Sequence, residues 1–72
     1  MNQDDAKKIA RFARDAALRV CEIAKLSHEF PEEERIAWLI RVGCVLETMR
    51  REVVAPLNAE HPGLIAESDA RA

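Results

Sequence analysis

Residues 36–46, Ile-Ala-Trp-Leu-Ile-Arg-Val-Gly-Cys-Val-Leu, are apolar on nearly every side of the helix they would form, and Arg41 is the only charge among them. A helix of that kind needs cover on two faces, whereas a single amphipathic neighbour covers one. The chain has 72 residues, near the lower size limit at which a lone core is enough, so a disulfide, a metal or oligomerisation is expected to complete it.

The residues argue against the first two. Cys21 and Cys44 sit inside apolar helical patterns and not in a spaced disulfide framework. Together with His28 and His61 they are the candidate metal ligands, but no CxxC, HxxxH or Glu-x-x-His spacing sets two of them on one helix face. Cys21 and His28 do share a face, two turns and roughly 10 Å apart, too far for one metal or for a Cys–His nucleophile pair. No metal, cofactor or catalytic residue is therefore expected. Oligomerisation remains.

Other chemistry is equally thin. Glu32, Glu33 and Glu34 form a carboxylate run, yet general acid catalysis needs a buried carboxyl, and the start of a helix is solvated and favours negative charge. No glycine-rich phosphate loop exists. Gly43 stands alone inside the apolar segment, where it suggests close approach of another helix, at a cost of about 1 kcal/mol in helix propensity relative to alanine. The expectation is a protein that is not an enzyme.

Helix one is predicted from about residue 4 to 27. Its apolar positions recur at seven-residue spacing in three adjacent columns: Ala6, Ala13, Val20; Ile9, Ala16, Ile23; and Ala10, Ala17, Ala24. That is one broad stripe with a heptad-like seam. Phe12 and Leu26 flank one edge and Cys21 the other. The opposite face is charged, with opposite-sign pairs such as Asp4–Lys8, Arg11–Asp15, Asp15–Arg19 and Glu22–Lys25 at helical spacing.

Ser27-His28-Glu29-Phe30 is a short connection, and Pro31 followed by three glutamates marks a new helix start, with proline at its first position. So short a loop makes antiparallel neighbours. Helix two is predicted from about 31 to 54, where Pro56, lacking an N–H for the Glu52 carbonyl, ends or kinks it. Its stripe is Leu39, Val42, Leu46, Met49 and Val53, widened by Trp38 and Val45 on one side and by Ile36, Ile40 and Gly43 on the other. Residues 57–61 read as a turn, and a short third helix over 62–69 would carry Leu64 and Ile65.

The stretch Phe30-Pro31-Glu32-Glu33-Glu34-Arg35 resembles the helix-start motif of a bacterial four-helix-bundle family known from intervening sequences of large-subunit ribosomal RNA genes. The resemblance spans six residues, and the family's later Asn-Ile-Ala-Glu-Gly signature has no counterpart here. No function is carried over from it.

The expected fold is all-α: one domain, an antiparallel helical hairpin that dimerises into a four-helix bundle with a short C-terminal helix or tail. Ile36, Trp38, Leu39, Val42, Val45, Leu46, Met49 and Val53 are expected to form the dimer core. Arg41, Glu34, Leu64 and Ile65 are the candidate contacts for an unidentified protein partner; Arg41 has no acid three or four residues away, so its partner is expected from another helix or chain. A formal net charge of −2 gives no general attraction to nucleic acid or anionic membrane. The acidic N-terminus lacks the features of a secretory signal, and with reduced cysteines a cytoplasmic location is expected. The reading is a small non-enzymatic interaction protein acting as a homodimer. Two alternatives stand beside it: a nucleic-acid-associated regulator using the basic outer face of helix one, and a helical subunit of a larger complex.

Overall fold

Asn2 begins the first helix. Its backbone is extended and its side chain accepts a hydrogen bond from the Asp5 N–H at 2.8 Å, which satisfies one of the unpaired donors of the first turn. Asp4 and Asp5 add negative charge at the positive end of the helix dipole. Helix α1 then runs Gln3–Ser27 in a computed structural model that describes residues 1–64. Replacing Asn2 with alanine is expected to lower unfolding stability by about 1 kcal/mol, read from a thermal melt followed by circular dichroism; an unchanged melt would mean the cap contributes nothing.

At its far end α1 closes on a buried Ser27, whose hydroxyl donates to the Ala24 carbonyl at 2.6 Å. Successive N–H groups of Glu29 and Phe30 then bond back to Leu26 and Ser27, a tight reversal. Pro31 sits one position earlier than the sequence suggests: it is the extended residue before the helix (φ −53, ψ 151), and its carbonyl accepts from the Arg35 N–H at 2.9 Å. Helix α2 follows as Glu32–Met49 with Glu32, Glu33 and Glu34 in its first turn. The two helices pack as an antiparallel hairpin. The fold is all-α.

The largest departure from expectation lies beyond α2. Pro56 does not end the helix. A wide π turn, Arg50–Val54, precedes it, and the Ala55 N–H reaches the Arg50 carbonyl five residues back. Widening the turn is how a helix admits a register change without breaking. Helix α3, Ala55–Glu60, continues directly from it, so the segment predicted as a turn over 57–61 is helical through Glu60. The reversal comes later, where Gly63 takes φ +87, a left-handed conformation open to glycine at little cost. Pro62 and Gly63 lie in that turn; the rest of the predicted third helix, 65–69, lies outside the described residues.

The extra turn places the core. Leu57 of α3 and Leu64 after the reversal are buried against Ala6 and Ala10 of α1, with Ile9 packed beside them. His61 Nδ1 and Gln3 Oε1 meet at 3.1 Å across the same junction. The alanines of α1 let that neighbour approach closely, as their small side chains suggest. This cluster sits at the open end of the hairpin. Along the middle only Val42 of α2 is fully covered.

Candidate functional site

The middle of the hairpin is where the fold leaves work undone. Among the residues expected to form a shared core, Val42 is buried and Leu46 and Met49 are half-buried, while Ile36, Trp38, Leu39, Val45 and Val53 remain exposed. Ile40 is 62 % exposed, the most open large apolar residue of α2. Helix α1 contributes Phe12, Ile23 and Leu26, all exposed, and Ala16 likewise. Scattered surface leucines need no explanation. Exposed apolar residues contiguous on both flanks of one helix do.

The two flanks of α2 differ in chemistry. On one, Ile36, Leu39 and Ile40 surround Gly43, and an added Cβ at Gly43 would meet nothing within 4 Å. The close approach anticipated at this glycine is therefore not to α1. Within one chain the residue carries its helix-propensity cost of about 1 kcal/mol with no packing gain. On the other flank, the Arg41 guanidinium lies over the Trp38 ring, 4.7 Å from its centroid. This corrects the expectation that the partner of Arg41 must come from elsewhere: an aromatic face one turn back serves, through the negative charge of its π cloud. Val45 and the exposed Glu34 lie on the same side.

Charge is arranged as unevenly as apolar surface. Residues 7–14 hold Lys7, Lys8, Arg11 and Arg14 with no acid, near the open end; residues 29–34 hold Glu29, Glu32, Glu33 and Glu34 with no cation, at the turn. About 30 Å of helix separates the two groups, several screening lengths at physiological salt. Of the sequence-predicted pairs on α1, Glu22–Lys25 closes at 3.6 Å, exposed on both sides, and such a pair stabilises little.

One carboxylate is shifted. Arg50 Nε donates to Glu47 Oε2 at 2.9 Å and its Nη2 donates to Oε1, a two-pronged fork across one helical turn. That hydrogen bond, helped by the nearby Arg50 and Arg51 charges, holds the Glu47 carboxyl below its ordinary range and raises Arg50 in turn. Both groups are solvent-exposed, so the pair's main effect is local: it neutralises two charges at the open-end border of the Gly43 flank.

The remaining candidates resolve simply. Leu64 is 4 % exposed within the chain's own core and is not free to contact a partner, which corrects its assignment. Ile65 lies outside the described residues. Cys21 is half-buried and Cys44 exposed, both as free thiols. Among the described residues no group of three or more His, Cys, Asp or Glu side chains converges as a metal site, and no helix is long and apolar enough to cross a membrane.

No family model matches the chain, and no curated protein and no solved structure matches it either. The six-residue likeness at Phe30–Arg35 thus rests on local helix-start chemistry, which the backbone here adopts with Pro31 extended and its carbonyl capped by Arg35. Function has to be read from the surface itself. Two residues had roles that the sequence hid, one on that surface and one in the core. Ile40 lay hidden in an all-round apolar pattern, and Leu57 was masked by the proline beside it.

Proposed function

We propose that this chain is a small non-enzymatic interaction module that acts as a homodimer, two hairpins pairing into a four-helix bundle. One observation carries the reading: the exposed apolar flank of Ile36, Leu39 and Ile40 around an open Gly43. Burying an isoleucine or leucine side chain stabilises by about 1.5–3 kcal/mol, and the hairpin alone forgoes that along most of α2. Protomer and dimer stability are then linked through concentration. The opposite flank, with Trp38, Arg41 and Glu34, is the surface left for a protein partner; tryptophan and arginine are the side chains most enriched at binding hot spots.

The test is molar mass by light scattering over a range of concentrations. The expected mass is twice the 8.1 kDa of the chain, moving towards the single-chain value only on dilution. A helical protein that stays at the single-chain mass throughout overturns the homodimer.

A further inference from the structure

We propose that the second copy docks antiparallel, α2 crossing α2 at Gly43, so that the glutamate-rich turn of each hairpin lies beside Lys7, Lys8 and Arg11 of the other. The inference rests on the homodimer reading and adds to it a direction and a crossing point, for which two independent features argue.

The first is Gly43. It lies on the flank of α2 turned away from α1, with open space where a Cβ would stand, and it is ringed by the exposed Ile36, Leu39 and Ile40. A glycine at that place lets two helix backbones approach more closely than any side chain permits. The neutralised Glu47–Arg50 fork borders the same flank, so partner isoleucines arriving there meet aliphatic stems and a paired charge instead of a lone ion.

The second is the charge arrangement. Leu57 packs on Ala6 and Ala10, which sets the Lys7–Arg11 stretch level with the end of the long helix. Measured along α2 from Gly43, Glu29–Glu34 lies roughly 15–20 Å in one direction and the level of Lys7–Arg11 roughly 15–20 Å in the other, at 1.5 Å per residue. A two-fold axis through Gly43 exchanges those directions. Each acidic turn then meets a basic stretch of the other copy, twice over. A parallel pairing crossing at the same glycine would set glutamates against glutamates and cations against cations. Opposed charge fixes orientation even where it adds little to affinity. Within one hairpin Glu32, Glu33 and Glu34 and Lys7, Lys8 and Arg11 make no ion pair among the described residues, which leaves both sets available.

The experiment is sedimentation equilibrium of the full chain at low ionic strength, with helicity checked by circular dichroism. Lys7→Glu, Lys8→Glu and Arg11→Glu together are expected to weaken the dimer about tenfold or more; acids suit the start of α1, so this variant keeps its helix. Glu32→Lys, Glu33→Lys and Glu34→Lys together should weaken it likewise. All six substitutions in one chain re-create opposite charges across an antiparallel interface and should return the dimer to near its original strength. Gly43→Leu should abolish it while leaving the hairpin helical. A dimer indifferent to either charge set, or one that the six-fold variant does not restore, overturns the antiparallel direction while the homodimer stands. A dimer indifferent to Gly43→Leu overturns the crossing point. A wild-type chain that is monomeric throughout removes both this inference and the reading beneath it.

Discussion

Replacing Ile36 and Ile40 together with glutamate is expected to dissociate the dimer, raising its dissociation constant by at least about a hundredfold. The reasoning is one of location. Both side chains are exposed in the single hairpin, at 46 % and 62 %, so neither belongs to the core within a chain. Glutamate is also the better helix former of the two residues. In a two-fold dimer each change occurs twice, and four isoleucines leave an interface where each contributes about 1.5–3 kcal/mol; four carboxylates take their place. The variant should therefore keep its helical signal at high concentration while its light-scattering mass drops to that of one chain. A double variant that still weighs twice the chain mass would show that this flank is not the shared surface.

Truncating Leu57 to alanine is expected to act in the opposite way, on the protomer first. Leu57 is 4 % exposed and belongs to an apolar cluster buried within the hairpin, with Ala6, Ala10 and Leu64. Leucine-to-alanine changes in packed sites cost about 2–5 kcal/mol, the spread reflecting how far the cavity can collapse. Two of its four neighbours, Ala6 and Ala10, are small residues of α1, and there is little bulk to move in. Small domains have a total stability of a few to about 15 kcal/mol, so the loss should appear as partial unfolding near room temperature. Urea denaturation followed by circular dichroism measures it. A midpoint that does not move would mean α3 is not docked on α1 in solution.

These three residues also show what was legible in the sequence and what was not. The hairpin was legible: the three seven-spaced columns of α1 and the proline followed by glutamates at the head of α2 are local signals that tertiary structure had no reason to override. The C-terminal part was obscured by a rule that is local too. Proline removes one N–H, and the simple expectation is that the helix stops; a wide turn just before Pro56 lets it go on, because burying Leu57 and Leu64 outweighs one irregular turn. The partner of Arg41 was hidden for a similar reason, since an acid is the usual partner of an arginine and here the ring of Trp38 answers the same charge. Which flank of α2 stays open could not be read at all. With apolar residues nearly all round, sequence alone sets no direction, and only the placement of α1 and α3 distinguishes the Gly43 side from the Trp38 side.

The wide turn at Arg50–Val54 has a further consequence for how this chain tolerates length changes. A π turn is an α-helix carrying one surplus residue. Deleting any single residue there would let the helix regularise while everything downstream keeps its phase, because the wide turn already holds that residue outside the regular α-helical count. Leu57 would stay on α1, and His61 beside Gln3. The same deletion within α2, upstream of Gly43, would instead rotate the glycine flank against α1. The segment thus works as a phase adjuster between two halves of one continuous helix, one aligned to its own chain's alanines and the other to the open flank.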